Sequence, residues 1–503
     1  MLAYAKVKCG VQPMFKRLLF AVLLIAALLA AVLLVRSVTL RSNQVPPEPC
    51  QPIALDGDAA AARLAKAIQC KTVSHDDVSR FDSAAFLELH RRIREGFPVL
   101  HARLQCEVVN GHSLLYTWPG TDTSLPGVLF IAHLDVVAAD EDGGTWAYPP
   151  FSGDIDGGFV WGRGTVDDKG SLMAVMEAVE ALATAGHAPK RTVYLAFGHD
   201  EEVGGTEGAG RIAALLKERG VRLEATFDEG LVITNGIVPG MTGPLALVGV
   251  AEKGYASLEL SVAQEGGHSS QPPPQSAIEI LAAALTRINR KPAPARYEGA
   301  MRAMFDCAAP EMSLPYRLLF ANPWLFSSLI IHEMEKMPAT NAGLRTTVTA
   351  TMFNAGEKDN VLPALAKAVV NCRLLPGDTL KSVVARIRGA VADDRVSITT
   401  LPNAHEASPV SDAAAPAFAA LAASIRQVWP EVAVAPALDI GATDSKHYAE
   451  LAQNQYRFAP FWFNEWDLSI IHGVNERVAV QSYLEAVQFY AQLIRNVAGR
   501  SAA

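Results

Sequence analysis

Two short apolar runs, PGVLFIAHLDVV at 126–137 and RTVYLAFGHD at 191–200, flank a helical stretch, SLMAVMEAVEALATAG, at 171–186. Runs this short and unbroken suit strands buried on both faces, and strand, helix, strand alternation predicts an α/β sheet, mostly parallel. Each run ends in polar residues: HLDVV after the first, GHDEE after the second. Parallel strands collect such ends along one edge of a sheet, so chemistry is expected there.

The folded body is expected to begin near residue 56, where DAAAARLAKAIQC has helical spacing. A first catalytic part covers 56–251. From EKG at 252–254 the pattern changes to strand, helix, strand, strand, helix, strand, which predicts an inserted two-layer α+β domain over 252–402. An apolar stretch at 295–340 (MRAMF, LLFANPWLFSSLII) interrupts it, and suits a pocket lining, a membrane-facing surface or ordinary core helices. Residues 403–503 return to the first domain and end in an amphipathic helix.

Residues 18–35 (LLFAVLLIAALLAAVLLV) form an apolar run of about 18 residues, nearly enough at ~1.5 Å per residue to cross a ~30 Å hydrocarbon layer. Lys6, Lys8, Lys16 and Arg17 precede it, which predicts a single-pass anchor with residues 1–17 cytoplasmic and the body on the other side, periplasmic, lumenal or extracellular. Cleavage as a signal peptide would make the protein secreted, but no A-x-A-like site follows. Residues 36–55, rich in proline and polar residues, read as a linker. A formal charge of −8, with no Lys/Arg run beyond the membrane-proximal one, offers nothing to nucleic acid. Six cysteines without a CxxC spacing indicate neither a zinc knuckle nor a disulfide framework, with Cys50 the one candidate for a disulfide in an exported body.

The acids and histidines gather in five places. IAHLDVV supplies His133 and Asp135, which at i and i+2 on a strand share a face, so one can bind a metal while the other accepts its second imidazole N–H. WGRGTVDDKG supplies Asp167 and Asp168, GHDEEVGG supplies Asp200, Glu201 and Glu202, FDEG supplies Asp228 and Glu229, and SIIHG supplies His472. Adjacent carboxylates repel unless something strongly cationic holds them. Two histidines and three or four carboxylates suffice for two divalent cations sharing one bridging carboxylate; N and O donors without thiolate fit Zn2+, and tolerate Mn2+ or Co2+. Spacing does not separate Glu201 from Glu202, or Asp167 from Asp168.

The order HLDVV, GRGTVDDKG, GHDEE, FDEG, GGHSS and IHG resembles peptidase family M20, dinuclear-zinc amidohydrolases, over nearly the whole body. PPFSGDIDG, the NPWLF insertion and KDNVLP resemble its branch of carboxypeptidase S and N-fatty-acyl-amino-acid hydrolase/synthase. The resemblance implies a zinc-peptidase domain with an inserted lid or dimerisation domain. It implies one zinc on His133, Asp167 and Asp228 and the other on Asp167, Glu202 and His472. Asp135 would orient His133, Glu201 would be the general base, and a cis peptide would join Asp167 to Asp168. His268 in GGHSSQPP would support the oxyanion, often across a dimer interface, while Asn360, Arg373 and Thr443 in GATD would meet the substrate. A homodimer through the inserted domain is likewise implied. The expected activity is hydrolysis of an amide before a C-terminal amino acid in a small peptide or N-acyl amino acid, the apolar insertion favouring apolar groups. Deacetylase, desuccinylase or aminopeptidase action on the same metals, or a silent membrane-anchored binding protein, are the alternatives.

Overall fold

The computed structural model describes residues 11–140 and 145–499; Lys6, Lys8 and Cys9 lie outside the described residues. Helix α1 spans Val11–Val38. The first part of the body gives the main sheet β1 (Gln105–Val109), β2 (Ser113–Trp118), β3 (Gly127–His133), β4 (Val193–Gly198), β5 (Leu223–Thr234) and β6 (Leu245–Glu252). Helix α2 (Lys169–Thr184) connects β3 to β4. Next along the chain come β7 (Gly254–Ala263), α3 (Ala277–Asn289), α4 (Leu314–Phe320), α5 (Pro323–Met334), β8 (Thr347–Ala355), β9 (Leu365–Leu374), α6 (Leu380–Val391) and β10 (Ser397–Thr400), of which all but α4 and α5 build a second unit. Strands β11 (Ala433–Asp439) and β12 (Ala452–Phe463) then return to the first sheet, and α7 (Val480–Ala498) closes the chain.

The main sheet has eight strands in the order β1-β2-β4-β3-β5-β12-β6-β11. Its centre is parallel, as expected: β3 pairs with β4 and β5, and β5 with β12. Outside the centre the directions mix: β1, β2 and β4 pair antiparallel, as do β5 with β6 and β12 with β6, while edge strand β11 pairs parallel with β6. Every residue of β3 is buried, with α2 and α7 covering one face through Leu172, Val175, Val179, Tyr483, Phe489 and Ile494. At about 1.5–3 kcal/mol for each large apolar side chain fully buried, this layer fixes where the strands end.

The second unit is a four-stranded antiparallel sheet, β8-β9-β7-β10, with α3 and α6 on one face and an apolar core of its own. Its boundaries differ from 252–402. Residues 299–344 turn back: Met301, Met304, Phe305, Phe320, Ile330 and Met334 pack with Leu245 of β6 and with Ala433, Ala435 and Ala437 of β11. Apolar side chains at that density need a large surface to bury against, and the flank of the main sheet supplies it.

Residues 39–55 are not a free tether. Gln44 clamps the outer side of edge strand β11, its Nε2 donating to the Val434 carbonyl at 3.0 Å and its Oε1 accepting from the Val434 N–H at 2.7 Å. Further on, the Gln51 and Ile53 N–H groups donate to Gln492 and Gln488 of α7. An edge strand presents unpaired backbone groups, and this segment meets them. The Cys50, Cys70, Cys106, Cys307 and Cys372 thiols are free, so the disulfide considered for Cys50 does not form among them.

Candidate metal centre

The parallel strands β3, β4 and β5 deliver their polar residues to one place, and a ribbon adds the rest. Phe159–Trp161 pairs antiparallel with Arg477–Ala479, which brings the GRGTVDD and IHG loops together. Buried Glu476 holds the first loop: Oε1 accepts N–H groups from Gly164 (3.0 Å), Val166 (2.9 Å) and Asp167 (3.2 Å), and Oε2 meets Arg163 Nη1 at 2.6 Å. Lys169, the cation beside the two acids, does not neutralise them; its Nζ turns inward to the carbonyls of Ala67 and Cys70.

Asp167 sits between the two histidines. Oδ1 is 2.9 Å from His133 Nε2 and Oδ2 is 3.0 Å from His472 Nε2, while Glu202 Oε2 approaches the same His472 nitrogen at 3.2 Å. Asp168 is joined to it by a cis peptide bond and turned inward, where Oδ2 accepts the His133 N–H at 3.3 Å. The geometry thus separates the two acids that spacing left equivalent. His133 directs Nδ1 at the Asp135 carbonyl (3.0 Å) and carboxylate (3.3 Å), leaving Nε2 for the centre. Asp135 also receives Ser74 Oγ at 2.5 Å and the N–H groups of Glu201 and Glu202, both at 3.1 Å.

Asp228 is not among the residues around His133. Its Oδ2 accepts the Ser445 N–H at 2.7 Å, and Glu229 Oε1 instead stands 3.4 Å from His133 Nε2. The cause is a bulge: Asp228 pairs with Arg457 of β12, yet the next pair is Leu231 with Phe458, so Glu229 and Gly230 are extra residues. An extra pair of residues re-aims the side chains of a strand, and here it turns Glu229 into the centre. Gly230 has φ +133°, and a Cβ there would lie 2.6 Å from Asp439 Oδ2.

Two groups of donors result, His133, Asp167 and Glu229, and Asp167, Glu202 and His472, the ligand atoms of each lying within 4.8 Å of one another. Electrostatics fit cations. Burial pushes Glu229 well above its ordinary value, and the Asp167 and Asp168 charges add to it. Hydrogen bonds that its ring N–H donates to Asp167 and Glu202 raise His472 to about 10. Burial opposes the charged form of His133, but Glu229, Asp135 and Asp167 outweigh it and hold the imidazole well above its usual range. Carboxylates gathered this closely draw protons onto the imidazoles, and a divalent ion satisfies the same lone pairs. Glu201 is also pushed well above its ordinary value, by burial first and then by Asp444 and Glu202.

A cavity of about 820 Å³ opens over the centre, and Glu201, Glu202, His472, Tyr255, Arg373 and Lys446 are among the residues that line it. Arg373 lies over the Tyr255 ring at 4.9 Å. Thr443 does not reach this cavity: it is 4 % exposed, and its N–H and hydroxyl donate to Glu252. It therefore shapes the loop before Ser445 instead of touching a ligand. His268 lies on the exposed ribbon Gly267–His268 with Val361–Leu362, beside exposed Asn360, whose carbonyl accepts the Ser269 N–H at 3.2 Å, and both are outside the cavity lining. The insertion at 295–340 supplies no lining residue either, so the apolar preference inferred from it loses that support.

Residues 129–496 match the model of peptidase family M20/M25/M40. The chain is 41 % identical over 444 residues to a probable carboxypeptidase S-like protein of Dictyostelium discoideum, covering 87 % of this chain and 84 % of that protein. It is 43 % identical over 439 residues to the mouse (Mus musculus) N-fatty-acyl-amino acid synthase/hydrolase PM20D1, covering 86 % of each. Among solved structures, an M20 metallo-carboxypeptidase of Sulfolobus solfataricus shares the fold, with a TM-score of 0.63, 16 % identity and coverage of 87 % of this chain and 98 % of that one. The chain belongs to peptidase family M20 and is a metallopeptidase/amidohydrolase of its carboxypeptidase S-like and N-fatty-acyl-amino acid hydrolase branch.

Proposed function

We propose that the protein holds two zinc ions and cleaves the amide before a free C-terminal amino acid in a small peptide or an N-acyl amino acid. The observation that carries this is Arg373, which lines the same cavity as Glu201, Glu202 and His472. A planar guanidinium is matched to a terminal carboxylate, and stacking on Tyr255 fixes its plane. The relatives' names, carboxypeptidase and amino-acid hydrolase, have an amino acid product in common.

His133, Asp167 and Glu229 would hold one ion, and Asp167, Glu202 and His472 the other, with Asp167 shared. Bound zinc supplies Lewis acidity toward the carbonyl and lowers the pKa of water at the site. Glu201 takes the proton of the attacking water and returns it to the leaving amine; Asp135 fixes the backbone of Glu201 and the ring of His133 at once. Arg373 orients the substrate, and His268 supports the oxyanion from a second copy of the chain, since within one chain it is exposed and outside the cavity. Helix α1 anchors the body, with a candidate span at Phe15–Val38 and Lys16 and Arg17 at its start.

The test is release of free amino acid from Gly-X dipeptides and from short- and long-chain N-acyl amino acids, by the zinc-loaded enzyme beside Glu201→Gln and Arg373→Ala. Turnover is expected on substrates with a free carboxylate, with a loss of 10²–10⁴ in kcat for Glu201→Gln and a raised KM for Arg373→Ala. Equal turnover of C-terminal amides would overturn the reading.

A further inference from the structure

The apolar insertion has two faces. Its inner one is core, but α4 and α5 also carry Leu314 (47 % exposed), Tyr316 (37 %), Trp324 (57 %), Leu325 (42 %) and Leu329 (44 %) on the outside. Trp324, Leu325, Ser328 and Leu329 follow one another at i, i+1, i+4 and i+5 along α5, which places them on one side of that helix. Isolated exposed apolar residues are ordinary; a cluster on adjoining helices is a site of contact.

Helix α1 is fastened to this part of the body. Arg36 Nε and Nη2 donate to the Ala321 carbonyl at 3.3 and 3.2 Å, and buried Asn322 donates to Leu33 O at 3.2 Å and to Ser37 Oγ at 3.4 Å. Arg17 and Arg36 bound the apolar run, whose about 18 residues rise ~27 Å at ~1.5 Å each, against a hydrocarbon layer of ~30 Å. Arg36 therefore marks one boundary of that layer, and Ala321, bonded to it, lies at the same level. Trp324 comes three residues later, and tryptophan and tyrosine are the side chains favoured at this depth.

We infer that the outer face of α4 and α5 is seated in the interface of the bilayer that α1 crosses, so the body rests on the membrane at Leu314, Tyr316, Trp324, Leu325 and Leu329. This rests on α1 being a membrane span. The occupant is lipid because the face is continuous with the end of that span.

Full-length protein is reconstituted into phosphatidylcholine vesicles in which a share of the lipid is brominated near the headgroup end of its chains, and tryptophan emission is compared between the unmodified chain and Trp324→Phe. Vesicle flotation is followed on the same samples. The expected result is flotation of both, with a bromolipid-quenched component that Trp324→Phe loses. The double variant Leu325→Glu, Leu329→Glu should float, keep its far-UV circular dichroism and lose the same component. Flotation with identical quenching in the unmodified and Trp324→Phe chains overturns the seating and leaves the anchor standing. Failure to float overturns both. A dimer crosslinked through this face, with Trp324 unquenched, overturns the seating in favour of a second copy.

Discussion

The carboxylate of Asp135 accepts the backbone N–H of Glu201 at 3.1 Å while lying 3.3 Å from Nδ1 of His133. One buried acid therefore fixes the end of β3 and the turn after β4, with its second oxygen on the Glu202 N–H. Burial pushes Asp135 up, but His133, Ser74 and the Glu202 N–H outweigh it and keep it below its ordinary value. Asp135→Asn presents an amide N–H₂ where an N–H must be accepted. We expect kcat/KM and zinc affinity to fall about 10- to 100-fold, the usual cost of losing a group that orients a ligand. Steady-state kinetics with zinc titration measure it, and an unchanged affinity would remove Asp135 from this role.

The bulge at Glu229 predicts a difference between two adjacent acids. Glu229→Gln should lower bound zinc toward one equivalent, measured by elemental analysis after dialysis against a weak chelator. Asp228→Asn should keep both equivalents, because that carboxylate is committed to the Ser445 and Glu229 N–H groups at 2.7 and 3.0 Å. Loss of zinc in Asp228→Asn with retention in Glu229→Gln would reverse the assignment.

The parts of this centre that are legible in the sequence are those carried by strand ends and glycine-bearing loops. His133 closes a fully buried strand, so its position follows from a seven-residue apolar run. Asp167 and His472 sit in glycine-flanked polar loops that a core cannot absorb. Glu229 was hidden because alternation along β5 does not reveal an insertion of two residues; only pairing with Arg457 and Phe458 does. Thr443 rested on the resemblance of GATD alone, and a motif does not record burial against Glu252. Glu476 left a faint signal, an acid four residues beyond His472, but nothing in the sequence ties it to Arg163, 313 positions away. The mixed edges of the sheet were likewise unreadable, because local apolarity does not record strand direction.

Glu476 should matter for the fold more than its loop position suggests. It is 0 % exposed, pairs with Arg163 and accepts three backbone N–H groups. Glu476→Ala leaves the buried Arg163 charge without its counter-ion, and Nη1 and those donors without an acceptor, which we expect to cost about 3–5 kcal/mol. Glu476→Gln, which keeps one acceptor oxygen, should cost less. Urea unfolding measures both; equal and small losses, under about 1 kcal/mol, would show the pair to be solvated.

Lys253 links the two units and makes their stability depend on pH. Its Nζ donates to the carbonyls of Ala342 and Arg345, both at 2.9 Å, across the hinge between β6 and β7. Burial, with the Arg373 charge in support, lowers its pKa from 10.5 to about 7. Between these values the unfolded chain holds a proton that the folded chain has released. Folding stability therefore rises with pH across the window from about 7 to 10.5, by at most about 1.4 kcal/mol per pH unit. Below about 7 the ammonium is charged in both states and the contribution is flat. Lys253→Met loses these hydrogen bonds, and a third to Thr347 Oγ1 at 3.4 Å, at every pH and with them the titrating group. Its unfolding free energy in urea, measured at pH 7, 8 and 9, should rise less with pH than that of the unmodified protein over the same range, the contributions of Lys169 and His472 being common to both. Parallel slopes in the two proteins would place the Lys253 pKa at its unfolded value, and the hinge would then be held by a fully charged ammonium.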